Sequence, residues 1–493
     1  MTTAITPGVS AMSLYVPRLR VDLERWCEWT DNNWGKVNAV VGSGFRVPAQ
    51  HENVYTMAAN AVLRLIVDND VDPQRVGFLG LGTESSTDNS AGAVIVRGMV
   101  DRALDALGMP RLARSLEVPE FKHACLGGMY ALKTALRYAS CDAAGRVAIV
   151  VASDIAEYER GSSGEQTQGA GAVALLVEPA ARLFGVDLAR CGSASDYRGP
   201  DFRKPFARHF HDAHAPRTNR LNDFPVFSGR YSTYAYLDET VHAVEDMLGK
   251  TGTTAGAYYR SVHSLFFHRP YQLMPVQAMS FLYVRGLARG EHHRDELEAL
   301  CEAAEVEVEA VVAEAQTVPD LFAQVAAERD HMTDPYAATS AAASVLRKQP
   351  AFRALLEEKM SMGSATMREV GNLYSAALPG WIASGLAEAV ERDLDLEGRP
   401  MVAVGYGSGD AAEAWPITVV PGWREAARRI QPDRALAGAI DLTRAQYEAL
   451  HDGRAVPDLA YEPRGEFRIA RIGETYEPTY QDLGVEVYEY VGP

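Results

Sequence analysis

Short, continuous apolar runs that end in glycine or a polar loop, separated by stretches with helical spacing, constrain this chain more than any other feature. In the first half the runs are Val76-Gly-Phe-Leu-Gly-Leu, Val147-Ala-Ile-Val-Val-Ala and Ala170-Gly-Ala-Val-Ala-Leu-Leu-Val. In the second half they are Val262 to Phe267 and Pro400-Met-Val-Ala-Val-Gly-Tyr-Gly. Val54 to Val67, Gly127 to Ala139 and Pro275 to Gly286 carry apolar residues at helical spacing, and Tyr374 to Val390 predicts a helix interrupted by Pro379 and Gly380. Runs without polar alternation predict parallel strands covered on both faces. The pattern is that of an α/β chain with two related halves, 1–190 and 191–493, meeting near 180–195. Within the second half, about 290–360 is polar and strongly helical, and Gly465 to Val491 reads as two or three strands.

Bulk properties exclude several classes. Lysine plus arginine number 48 and aspartate plus glutamate 65, a net charge of −17, which argues against general nucleic-acid binding. No apolar run approaches the roughly 18 residues of a membrane helix, and the start lacks the order of a signal peptide. A cytoplasmic location is the expectation. Five scattered cysteines with no CxxC pair argue against a zinc site or a disulfide framework and for reduced thiols.

Five segments carry candidate chemistry, each with a plainer alternative. Cys125, in Phe121-Lys-His-Ala-Cys-Leu-Gly-Gly, precedes a helix, whose positive end favours a thiolate, and its small neighbours admit a substrate. A single cysteine is more often a small buried apolar residue. Glu84, in Gly80-Leu-Gly-Thr-Glu-Ser, follows a strand where a partly desolvated carboxylate can act as a base; it reads equally as a loop residue. The glycines there lack the third member of a dinucleotide loop. His268 ends an apolar strand, Asn372 and Tyr374 precede a helix, and Gly405-Tyr-Gly-Ser-Gly-Asp exposes successive backbone N–H groups suited to an oxyanion. A core histidine, a helix cap and a plain turn are the alternatives. All five segments fall at strand ends or helix starts, the positions from which one site is assembled.

Together these motifs resemble the 3-hydroxy-3-methylglutaryl-CoA synthase family of the thiolase superfamily. Gly82-Thr-Glu-Ser is similar to that family's base loop and Ala124-Cys-Leu-Gly-Gly to its nucleophile. Ala152-Ser-Asp-Ile-Ala-Glu-Tyr with Gly164-Glu-Gln-Thr-Gln-Gly-Ala resembles its central segment. Asp201-Phe-Arg-Lys-Pro, Phe267-His-Arg-Pro-Tyr, Gly371-Asn-Leu-Tyr-Ser and Tyr406-Gly-Ser-Gly resemble its remaining motifs in order. The resemblance implies a thiolase fold, two similar α/β halves in five αβαβα layers, with a helical insertion in the C-terminal half. It implies an acetyl thioester on Cys125, proton abstraction by Glu84, and condensation with an acetoacetyl thioester held by His268 and Asn372. The Ser408 backbone N–H would support the oxyanion, with Tyr158, Thr167 and Tyr374 lining the site. Acetyl-CoA and acetoacetyl-CoA are the implied substrates, with no metal or redox cofactor, and a homodimer is the implied assembly.

Two departures stand out. Leu273 occupies the place, five residues after the histidine, where the family usually carries a lysine for coenzyme A. The 290–360 stretch is long, either an insertion over the entrance or a surface embellishment. Arg198, Arg203, Lys204, Arg208, Arg217, Arg220 and Arg230, among His209, His211 and His214, form a basic cluster in an acidic chain. Asp201, Arg203 and Lys204 are accordingly candidate contacts for coenzyme A or for an acyl carrier protein, against the alternative of a solvated loop. The open alternatives are a polyketide β-branching synthase acting on a carrier-bound β-ketoacyl chain, a ketoacyl-synthase-like enzyme, and an inactive thiolase-type scaffold.

Overall fold

The computed structural model describes residues 6–199, 201, 203–204, 224–226, 229–290, 293–459, 461 and 463–492. Among them, ten strands form one mixed sheet. Across it the order is Ser264–Phe267, Pro400–Gly407, Ala411–Val419, Phe184–Val186, Gly8–Tyr15, Gly169–Glu178, Val147–Ala156, Val76–Gly82 and Glu120–Phe121, with Gly192–Ser195 paired alongside Ala411–Val419. The expectation of parallel strands holds for Val76–Gly82 on Val147–Ala156 and for Ser264–Phe267 on Pro400–Gly407. Gly8–Tyr15, Gly169–Glu178 and Ala411–Val419 pair antiparallel with their neighbours. Burial on both faces produces the same apolar run in either direction, so composition could not separate the two.

Helices cover and divide this sheet. Val54–Asp68 lies on one face of the first-half strands, its start fixed by a capping box between Asn53 and Thr56. Gly127–Cys141 and Ala377–Glu391 pack on the opposite face and also reach the second-half strands. Arg230–Thr251 packs on the far side of Ala411–Val419 and Gly192–Ser195, and Leu273–Arg289 beyond it. The stacking gives the five alternating layers expected of a thiolase fold.

Two expectations need correction, and that of a helical 290–360 stretch holds. Pro379 does not interrupt the Ala377–Glu391 helix, because it sits in the first turn, where a missing N–H costs nothing. The C-terminal region forms four strands in two antiparallel pairs, Glu466–Ile472 with Glu486–Val491 and Tyr476–Glu477 with Tyr480–Gln481. The polar stretch folds as the helices Arg294–Ala304, Val308–Gln316, Leu321–Glu328, Ala337–Leu346 and Pro350–Met360. Most of these stack on Leu273–Arg289, while Leu321–Glu328 reaches Arg230–Thr251. Among the described residues, no helix is long and apolar enough to cross a membrane.

Candidate active site

The strand ends Gly82 and Ala156 and the start of the Gly127 helix meet at one point. Gly82 and Gly128 make this contact possible: a Cβ on Gly82 would lie 2.5 Å from the Gly128 backbone, and one on Gly128 2.7 Å from the Ser375 carbonyl. The glycine pair after Cys125 therefore serves helix packing, not the substrate access expected from the sequence. Ala124 takes a left-handed φ of 43°, which turns Cys125 out of line with the helix that follows.

Cys125 Sγ donates to Glu84 Oε2 at 3.2 Å. Cys125 is 8% exposed and packs with Ala156, Tyr158 and Tyr374. Burial and the adjacent Glu84 carboxylate hold the thiol well above its ordinary pKa. The resting group is thus a thiol, and the expectation of a thiolate at a helix end is corrected: a dry wall and a neighbouring anion outweigh the helix. Burial, with Asp154 nearby, pushes the Glu84 carboxyl up to about 8.

Asp154 is the residue that sequence reasoning missed. It is fully buried, and its Oδ1 accepts from the Glu84 N–H at 2.7 Å, the Ser85 N–H at 2.8 Å, Thr83 Oγ1 at 2.9 Å and Ser85 Oγ at 2.6 Å. Its Oδ2 accepts from the Ser375 N–H at 3.0 Å and from the Ser375 hydroxyl. One carboxylate thereby ties the Glu84 loop to the segment that carries Asn372. A lone aspartate inside the apolar run from Val147 to Ala156 was the available signal, since such a charge persists only when fully bonded.

On the opposite wall, His268 is 2% exposed and lies between aromatic rings, stacked on Tyr406 at 6.3 Å and beside Tyr236 at 6.5 Å. The Tyr236 hydroxyl donates to the His268 carbonyl at 3.0 Å, and the His268 N–H to the Val404 carbonyl at 2.7 Å. Burial lowers the imidazole to about 3, so it is neutral at physiological pH. Asn372 follows Gly371, where φ is +76° and any Cβ would strike the Gln168 carbonyl. Its Oδ1 accepts from the Tyr374 N–H at 2.9 Å, and its Nδ2 donates to the Tyr158 hydroxyl at 3.4 Å.

Cys125, Tyr158, Thr167, His268, Asn372 and Ser408 line one cavity of about 300 Å³, together with Val41, Tyr236, Met274 and Tyr406. Tyr374 stands behind Cys125, ring edge to Tyr158 at 6.3 Å. Among the described residues, none from the 290–360 helices lines the cavity, which favours the outer position over a cover for the entrance. Asp201 is fully buried and accepts from the Tyr406 hydroxyl at 3.2 Å, so it supports the wall and has no surface to offer a coenzyme or carrier. Arg203 is exposed and Lys204 half-buried. Arg198, grouped with them in the sequence, is only 1% exposed. Arg208, Arg217, Arg220, His209, His211 and His214 lie outside the described residues.

Comparison with known proteins agrees with this arrangement. The family described as hydroxymethylglutaryl-coenzyme A synthase N terminal matches residues 5–182. The hydroxymethylglutaryl-CoA synthase of Haloferax volcanii is 26% identical over 458 residues, covering 90% of this chain and 91% of that protein. The solved structure of MvaS in complex with 3-hydroxy-3-methylglutaryl coenzyme A is 25% identical and superposes with a TM-score of 0.75 over 99% of each chain. The HMG synthase of the curacin biosynthetic pathway, solved with holo donor-ACP, shares the fold at 21% identity, with a TM-score of 0.69 over 99% of this chain and 100% of that one. A thiol in contact with a carboxylate, facing a histidine and an asparagine across one cavity, thus sits in a chain whose residues 5–182 match the hydroxymethylglutaryl-coenzyme A synthase N-terminal family and whose whole length is similar to hydroxymethylglutaryl-CoA synthases.

Proposed function

We propose that this enzyme condenses an acetyl group carried on Cys125 with an acetoacetyl thioester and then hydrolyses the product from the enzyme, giving 3-hydroxy-3-methylglutaryl-CoA. The contact between Cys125 Sγ and Glu84 Oε2 at 3.2 Å carries the reading. The Cys125 sulfur attacks the acetyl thioester, passing its proton by way of Glu84 to the departing coenzyme A thiolate. The Ser408 backbone N–H stabilises the oxyanion. Glu84, ionised again, takes a proton from the acetyl methyl, and that carbon attacks the β-ketone of the acceptor. Neutral His268 donates to the ketone oxygen, and Asn372 helps to hold it. Water then cleaves the Cys125 thioester, restoring the thiol and releasing a carboxylate. Tyr158, Thr167 and Tyr374 shape the pocket. The thioesters supply both the acidity and the leaving group, so these steps call for no metal or redox cofactor. A cytoplasmic homodimer is the setting we assign, divided into functional halves at about 190.

One observation favours a second reading of the acceptor. Leu273, half-buried at the start of its helix, offers no ammonium where relatives place one for coenzyme A. A carrier-bound β-ketoacyl chain, met by Arg203 and Lys204, would not need it. Incubation with acetyl-CoA should add one acetyl group to the wild type and none at this site in Cys125→Ala, read by intact mass. A product assay with acetoacetyl-CoA against acetoacetyl on a carrier protein then selects the acceptor. Failure to acetylate at all would overturn the enzyme reading.

A further inference from the structure

Arg198 was grouped in the sequence with surface cations, yet it is buried and surrounded by acids. Nη2 contacts Asp238 and, at 2.8 Å, Glu239 Oε1, both on the Arg230–Thr251 helix. Nη1 meets Asp196 Oδ2 at 3.0 Å, and Nε meets Asp410 Oδ2 at 3.4 Å. Asp238, Glu239 and Asp410 are themselves buried. Two backbone hydrogen bonds join the same pieces: the Asp196 N–H donates to the Asp410 carbonyl at 3.2 Å, and the Arg198 N–H to the Gly409 carbonyl at 3.5 Å. Arg198 thus grips both ends of the Gly409–Asp410 turn, next to Ser408 in the cavity wall.

The far side of this network is held by the 290–360 helices. The Tyr336 hydroxyl donates to Asp238, and the Tyr231 hydroxyl donates to the Arg198 carbonyl at 2.6 Å. Phe322 stacks edge-on against Tyr197 at 5.0 Å and fills the space where Gly199, at φ +61°, lacks a side chain. Leu321, Val325 and Met332 pack with Tyr231 and Tyr234, at the end of the Arg230–Thr251 helix whose Ser232 and Thr233 line the cavity. The outer helices therefore reach the site through packed contacts without touching it.

We propose that Arg198 is a positioning residue for the Ser408 backbone N–H, and that the segment from Leu321 to Tyr336 is the buttress that keeps it in place. A buried ion pair adds little net stability once its desolvation is counted, but breaking one side is costly and its geometry is specific. Here the specificity fixes a turn on which a thioester oxygen rests. The inference depends on Ser408 being the oxyanion donor.

The test is made on the acetylated enzyme with a ¹³C-labelled acetyl carbonyl, by infrared difference spectroscopy, alongside acetylation kinetics. In the wild type, the thioester carbonyl band should lie below that of a free thioester in water. Arg198→Gln should move it back toward the free value and slow the maximal acetylation rate at least about tenfold, a fraction of the loss expected when an oxyanion donor is removed outright. Half-saturation by acetyl-CoA should stay within about threefold, because binding contacts are untouched. Tyr336→Phe and Asp410→Asn, which keep shape, should show smaller shifts of the same sign and carry the test if Arg198→Gln does not fold. Folded variants with an unchanged band and rate overturn the role of Arg198. A wild-type band equal to the free value overturns the Ser408 reading itself, and the proposal with it.

Discussion

At the scale of single residues, the site is a set of ionisable groups displaced from their ordinary ranges by burial. In the proposed reaction Glu84 must be ionised to take a proton from the acetyl methyl, and burial holds it near 8. Condensation by pre-acetylated enzyme should rise about tenfold per pH unit below 8 and level off above it. His268, near 3, stays neutral throughout and adds no second limb in this range. Glu84→Ala should reduce condensation by about 10²–10⁴ while acetylation of Cys125 survives at a reduced rate, since the proton relay is lost but the pressure on the thiol is also relieved. The same displacement affects folding. A carboxyl whose folded value exceeds its unfolded one favours the fold below the unfolded value and loses that contribution as pH rises to the folded one. Glu84→Gln should therefore match wild type near pH 5 and melt on the order of 1–3 °C higher at pH 9. Local sequence singled out Cys125 and Glu84, which the fold brings into contact, but misjudged the state of the thiol, since burial depends on Tyr158 and Tyr374, far along the chain. It likewise took Arg198 for a surface cation, because the acids around it come from residues 238, 239 and 410.

At the scale of elements, strands were legible where burial is nearly complete, as at Val147–Ala156, and helices where one face is buried, as at Gly127–Cys141. Strand direction, the continuous Ala377–Glu391 helix and the path of the outer helices were not, since these depend on packing partners distant in sequence. The contact between the Gly82 strand and the Gly127 helix is the element-level feature on which the site depends. Gly128→Ala should cost about 1–3 kcal/mol and slow acetylation, since the new methyl meets a carbonyl and the Ala152 side chain. Gly98→Ala, inside the Gly92–Ala106 helix, where a Cβ meets nothing, is the control and should gain about 0.5–1 kcal/mol. Chemical denaturation of the pair separates a packing constraint from a helix-propensity effect.

At the scale of the whole molecule, one sheet continues through both halves of the chain, so the two walls of the cavity are parts of one framework. Among the described residues the sheet ends at the two-residue strand Glu120–Phe121, with three residues between it and Cys125. This edge, so close to Cys125, is where we expect a second copy to join. Light scattering should give twice the chain's 53.7 kDa, and a charge introduced by Phe121→Glu should shift that mass downward.

The protonated, enclosed Cys125 has a consequence for how the protein meets reactive small molecules. A thiol held protonated by burial and a neighbouring carboxylate is a poor target for generic electrophiles and peroxide, whatever its proposed task. The exposed thiol of Cys141, away from the cavity, is the one that a simple alkylator should find first at neutral pH, leaving turnover intact. Covalent inhibitors of this protein would accordingly have to imitate an acyl donor in shape before their warhead mattered.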